Sequence, residues 1–127
     1  MDPDDRHLDP AGIVQSQLDA YNARDIHAFM KWWADDARYF EHPSTLLASG
    51  AGQIRERHLL RFNDPNLSAR LVKRMVVGNK VVDQEVVTRT FPEGKGRLDV
   101  IAIHEVEAGR IANAWFIFGA PVFELSS

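Results

Sequence analysis

LSARLVKRMVVGNKVVDQEVVTRTFPEGKGRLDVIAIHEVEAGRIANAWFIFG, residues Leu67 to Gly119, decides the fold. Four runs rich in Val, Ile, Thr and Phe, at about 67–77, 81–92, 96–107 and 110–119, are separated by Gly78-Asn79, Pro92-Glu93-Gly94 and Ala108-Gly109. Each separator is a short hairpin signal, so consecutive runs fold back on one another as an antiparallel meander.

Upstream of Leu67 the period changes. Asp9 is placed to cap a helix whose first position is Pro10, and Ile13, Val14, Leu18 and Tyr21 recur at helical spacing until Asn22-Ala23-Arg24 closes it. Asp25 caps a second helix, with Ile26, Phe29, Met30 and Trp33 at i, i+3, i+4 and i+7. A short strand is expected over Ala37 to Glu41, with Tyr39 and Glu41 on one face and Arg38, Phe40 and His42 on the other, ended by Pro43. After Leu46-Leu47-Ala48, Ser49-Gly50 opens a third helix in which Ile54, His58 and Phe62 share a face, and Asn63-Asp64-Pro65 stops it. Helices followed by a long meander make an α+β fold, with the helices on one face of a curved sheet.

Composition sets the outer bounds. With 127 residues, 45% hydrophobic and 26% charged, the chain makes one globular domain with a core of its own. Residues 1–9, with four aspartates, read as a flexible acidic tail ahead of a single domain over 10–127. A net charge of -3, with no run of Lys and Arg, argues against nucleic acid as a partner. No stretch approaches the roughly 18 apolar residues of a membrane span, and the start is acidic where a signal peptide is basic, so a cytoplasmic location is expected. Having no cysteine, the chain carries no disulfide, thiol nucleophile or sulfur-bound zinc.

This order of elements, with AYNARDIHAFMKWWADDARYFEHP, SGAGQIRERHLLRF and HEVEAGRIANAWFIFG, resembles the nuclear transport factor 2-like superfamily, on the branch of the ketosteroid isomerases and SnoaL-like polyketide cyclases. The likeness runs over about residues 12–119. It is carried by Asn22-Ala23-Arg24-Asp25, by Trp33-Ala34-Asp35-Asp36-Ala37, by the Gly50 to Arg55 opening of the third helix, and by Gly109-Arg110-Ile111. The resemblance implies a cone: a strongly curved, mostly antiparallel sheet wrapped around an apolar pocket, closed by three helices, with a homodimer interface on the outer sheet face. Trp115 alternates with Phe116 and Phe118 on the last strand, so both of its faces need cover. The resemblance further implies a small, apolar, carbonyl-bearing ligand, no cofactor, and isomerisation, cyclisation or dehydration by proton transfer. The alternative is a non-catalytic module of the same fold that binds a ligand or a protein.

Carried onto this chain, the isomerases' base falls on Glu41 counting from Ala34-Asp35-Asp36-Ala37, or on His42 counting back from Pro43, and the alternation with Tyr39 favours Glu41 as the inward residue. The family's helix-one tyrosine falls on Gln17, with Tyr21 one turn on. Its protonated aspartate falls on Ala102, or on Ile103 if the count slips, and neither donates a hydrogen bond. His104, two residues beyond Ala102, and His58 on the third helix are the further polar candidates. Phe29, Trp33, Tyr39, Phe62, Ala102, Phe116 and Phe118 are expected to line the pocket. No HxxxH or HxH spacing points to a metal. On the second meander strand Asp83, Glu85 and Arg89 share a face opposite Val82, Gln84, Val86, Thr88 and Thr90, which reads as a solvated or partner-facing ladder, with Arg70 and Arg74 placed to pair with the acids.

Overall fold

The computed structural model describes residues 9–124. Except for Asp9, the stretch read as a tail lies outside them. Helix α1 (Pro10–Ala23) begins where its cap demands: the Asp9 carboxylate accepts the Gly12 N–H at 2.8 Å, and Pro10 occupies the first turn. It ends at Arg24, which takes a left-handed conformation at φ 53°. Asp25 caps α2 (Ile26–Met30), accepting the Ala28 N–H at 3.1 Å.

Helix α2 is shorter than the apolar stripe suggests, and Trp33 is not helical. It opens β1 (Trp33–Glu41), pairing with Ile111, while the Trp32 carbonyl accepts the Ile111 N–H at 2.7 Å. Ladder pairing of Trp33 with the β-branched Ile111 overrides a helical spacing that only one further turn supported. The stripe still marks the core: the Phe29 and Trp33 rings lie 5.7 Å apart, and both are buried.

Next come β2 (Thr45–Ser49), α3 (Ala51–Arg61), β3 (Ser68–Val77), β4 (Lys80–Phe91), β5 (Gly94–Glu107), β6 (Arg110–Phe118) and β7 (Val122–Phe123). The sheet order is β2-β1-β6-β5-β4-β3, with β7 on β5. Every described pairing is antiparallel except β1 with β6. Thus β3 to β6 form the expected meander, turning at Gly78 and Gly109, whose φ values of 58° and 79° suit a residue without Cβ.

Helix α1 packs across β3 to β6, α3 packs on β1 and β2, and α2 joins the two helices. The inner sheet face buries Val81, Val87, Leu98, Val100, Ala102, Ala114 and Phe116 beneath them. On β6, Trp115 stacks on Phe40 at 5.7 Å while Phe116 stacks on Tyr39 at 4.4 Å, so the strand carries aromatics on both faces. At the end of α1 the Asn22 amide clasps one residue of β3 with both its groups. Its oxygen accepts the Ala69 N–H at 2.7 Å, and its nitrogen donates to the Ala69 carbonyl at 2.9 Å. Among the described residues no helix is long and apolar enough to cross a membrane.

Candidate active site

A cavity of about 90 Å³ lies between the helices and the inner sheet face. It is smaller than the roughly 300–1,000 Å³ of an ordinary ligand pocket, so as it stands it admits only a compact molecule. Leu18, Trp33, Val87, Leu98, Val100, Phe116 and Phe118 supply apolar wall; Gln17, Tyr21, Tyr39, His58, Glu85 and His104 supply polar atoms; and Arg57, Arg61 and Arg89 complete the lining.

The cavity brings together eight of the expected residues: Gln17, Tyr21, Trp33, Tyr39, His58, His104, Phe116 and Phe118. Phe29 and Phe62 stand one layer back, with Phe29 4.5 Å from the His58 ring and Phe62 5.6 Å from Tyr21. Ala102 is buried but does not reach the lining. Glu41 and His42 are both exposed and outside the cavity, which corrects the expectation that one of them points inward. The alternation itself holds, since Tyr39 pairs with Ala114 and Glu41 with Phe116 across β1 and β6. The helical cover buries Ala37 and Tyr39 and stops short of Glu41, the last residue of the strand. His42 is tied in only by its backbone, whose N–H donates to the Phe116 carbonyl at 2.8 Å.

The carboxylate in the cavity comes instead from β4. The face read as an outward ladder is the inner one: Val81, Asp83, Glu85 and Val87 are all buried, and Arg89 lines the cavity. Asp83 has no exposed surface and is held by Arg74, whose Nε and Nη2 donate to its two oxygens at 2.7 and 2.8 Å. A third donor of Arg74 reaches the Gln15 oxygen at 3.0 Å. Arg74, not the exposed Arg70, is therefore the partner of Asp83. Glu85 has no such partner. Burial, and then the charge of Asp83, push its carboxyl up to about 7, with Arg74 pulling the other way. Asp83 lies opposite Ala102 in the β4–β5 register, so a carboxylate stands one strand over from the position where the resemblance expects one.

His58 Nδ1 donates to the Ile54 carbonyl at 2.8 Å, which leaves Nε2 as the acceptor. Burial lowers its pKa to about 4, the carbonyl opposing and Arg57 and Arg61 adding to the shift. Burial likewise lowers His104 to about 4, against the pull of Asp83. Two buried polar atoms of the lining, Trp33 Nε1 and His104 Nδ1, have no hydrogen-bond partner. Tyr21 and Tyr39 are raised above the ordinary phenol range, chiefly by burial, so their hydroxyls stay protonated donors. No group of three or more His, Asp or Glu among the described residues is arranged to hold a metal ion.

Both histidines titrate lower in the fold than in the open chain, so their stabilising effect is present above pH 6.5 and is lost as pH falls toward 4. Each shift corresponds to about 3 kcal/mol at about 1.4 kcal/mol per pH unit, and the single opposing shift of Glu85 offsets one of the two. A fall in melting temperature of many degrees is expected between pH 6.5 and 4, and it should largely disappear in His58→Gln, where the His104 and Glu85 shifts cancel. A flat profile in the unsubstituted protein would show that these imidazoles are not buried neutral.

A three-helix, α+β chain whose curved open sheet encloses a polar-floored cavity defines a cone of the nuclear transport factor 2-like type. The chain belongs to the SnoaL-like domain family, whose model matches residues 14–114. An uncharacterised cystatin-fold protein from Novosphingobium aromaticivorans superposes with a TM-score of 0.80 at 23% identity, covering 87% of this chain and 98% of that one. IdmH, a candidate polyketide cyclase from Streptomyces antibioticus, gives 0.75 at 17% identity, covering 87% and 92%. A candidate ketosteroid isomerase from Kribbella flavida gives 0.71 at 17% identity, covering 93% and 82%. No curated protein matches the sequence. At these identities the likeness establishes the fold, and the chemistry must be argued from the cavity.

Proposed function

We propose that the cavity binds a small carbonyl compound and moves a proton at the carbon next to the carbonyl, with Glu85 as the base. One observation carries this reading: Glu85 is a buried carboxylate in the cavity wall whose pKa is pushed up to about 7. A base with that value is partly ionised at neutral pH and strong enough to take a carbon-bound proton, the balance that general-base catalysis favours. In the step, the Glu85 carboxylate takes the proton and the C–H electron pair moves through the new C=C bond onto the carbonyl oxygen. Tyr21 and Tyr39, neutral donors in the same lining, hydrogen-bond the oxyanion. The enolate then takes the proton back at another carbon, attacks a second carbonyl, or expels a β-hydroxyl, giving isomerisation, cyclisation or dehydration. His58 Nε2, His104 and Gln17 orient the substrate as acceptors and donors on the cavity floor.

A second reading, a non-catalytic binding module, is favoured by Ala102, which puts no donor where the isomerases hold their oxyanion. Deuterium exchange from heavy water into a panel of small ketones separates the two. Exchange accelerated by the protein, with a rate rising through an inflection near pH 7, is the expected result. Absence of exchange across the panel would leave only the binding module.

A further inference from the structure

We propose that the mouth of this cavity holds a carboxylate of the substrate, gripped by Arg57 and Arg61 of α3 and Arg89 of β4, so that the ligand is an oxo acid rather than the apolar ketone expected from the sequence. This deepens the reading above by naming the substrate class of the same cavity.

Three guanidinium groups line one small cavity. None of them forms an ion pair or a hydrogen bond with a carboxylate among the described residues, whereas Arg74, Lys80, Lys95 and Arg110 each have an acidic partner. Asp64, outside the lining, acts electrostatically with Arg61 and Arg89, but it is one charge against three and its oxygens are engaged by neutral donors. It accepts the Thr90 N–H at 2.6 Å, the Thr90 hydroxyl at 2.8 Å and the Asn66 N–H at 2.9 Å. The one acid inside the lining, Glu85, has its carboxyl pushed up by burial and by Asp83, and even fully ionised it supplies one charge against three. The trio is therefore an excess of positive charge that the protein only partly balances from within. Arg89 feels this directly: its guanidinium is lowered first by burial and then by the neighbouring Arg61. Holding like charges together in a half-buried place is unfavourable unless an anion completes the set.

Two of the three guanidinium groups are also held in place: Arg89 lies over the Phe91 ring at 4.2 Å, and Arg57 lies over the Tyr39 ring at 5.2 Å. A planar fork is the partner of a carboxylate, which it binds through paired hydrogen bonds. Arg57 and Arg61 are four residues apart on α3 and so lie on the same face. The burial gradient sets the ligand's direction. The three arginines are half-buried, while Glu85, His58 and His104 beneath them are buried. Glu85 and Arg89, four residues apart on one strand face, have Cα atoms about 13 Å apart at about 3.3 Å per residue. The carboxylate and the acidic C–H therefore belong to different ends of the molecule.

The test compares straight-chain oxo acids, from 4-oxopentanoate to 7-oxooctanoate, with their primary amides. Affinity is measured by NMR titration at pH 7.5 and low salt. At least one acid should bind tenfold or more tighter than its amide. Arg61→Gln and Arg89→Gln should each remove most of that preference, and Arg89→Lys should keep part of it. In each variant an unchanged far-ultraviolet dichroism spectrum is the check on folding. The proposal is overturned if no acid binds better than its amide, or if the preference survives with Arg57, Arg61 and Arg89 all changed to Gln. Glu85→Gln separates this claim from the one it rests on. Acid preference without catalysed exchange would sink the base and leave the arginine site standing, and exchange without acid preference would do the reverse.

Discussion

Glu85→Gln is expected to slow the catalysed exchange by about 10²- to 10⁴-fold, the usual contribution of a positioned general base, while making the protein more stable above neutral pH. The two effects have one cause. In the open chain the carboxyl titrates near 4.5, and in the fold its pKa rises to about 7. The folded state therefore holds its proton more tightly, so the penalty for ionising Glu85 is absent below pH 4.5, grows as pH rises, and is complete above 7. The shift corresponds to about 3 kcal/mol at pH 8, to order of magnitude. Glutamine has nearly the same shape and no charge to bury, so the variant should recover a large part of it. Denaturant unfolding at pH 8 and pH 4 reads the difference, expected to be large at the first and close to nothing at the second. Undiminished exchange in Glu85→Gln would remove Glu85 from the chemistry. Equal stability at pH 8 would show that its carboxyl is not perturbed.

Arg74→Met should be the most damaging substitution outside the apolar core, costing about 3–5 kcal/mol, because it leaves a buried charge unpaired. Asp83 has no exposed surface and takes both its close contacts from Arg74. Removing the arginine strands that charge beside Glu85, whose carboxyl Asp83 already raises and Arg74 already lowers. The inflection in the exchange rate should accordingly move to higher pH in whatever fraction remains folded. The double change Arg74→Met with Asp83→Leu should restore most of the lost stability, since an apolar pair of similar volume makes no desolvation demand. Urea unfolding of the three proteins decides it: a loss below about 1 kcal/mol in the single variant would mark the pair as unimportant to the fold.

Much of the architecture was legible because local chemistry and global position agree. Asp9 and Pro10 start α1 as their types require, and the turns around Gly78 and Gly109 set the meander. His58 was found because it stands in an apolar row at helical spacing, and His104 because it lies two residues beyond Ala102 on the same strand face. The failures share a cause: periodicity divides a strand into two faces without saying which face is covered. On β4 the three charges at Asp83, Glu85 and Arg89 pointed outward by the ordinary rule that charged groups are solvated. The contrary signal lay in Val81 and Val87, which share that face and bracket the acids with side chains that need burial. For Glu41 the parity with Tyr39 was right, but where the helical cover ends depends on how α3 packs on β1 and β2, which no local pattern records. Trp33 shows the same limit in another form, its helical spacing yielding to pairing with a residue far along the chain, Ile111.

The register that sets Asp83 opposite Ala102 implies a rule of exclusion for this scaffold. Directly opposed residues of an antiparallel pair have their Cβ atoms about 4.5–5.5 Å apart, too close for two ionised carboxylates without a shared proton. The cone thus offers two neighbouring berths for a buried acid, one on each strand of the β4–β5 hairpin, and filling either one makes the other costly to fill. A chain with alanine at position 102 has not simply lost an acid; its acid occupies the adjoining strand, with an arginine beside it.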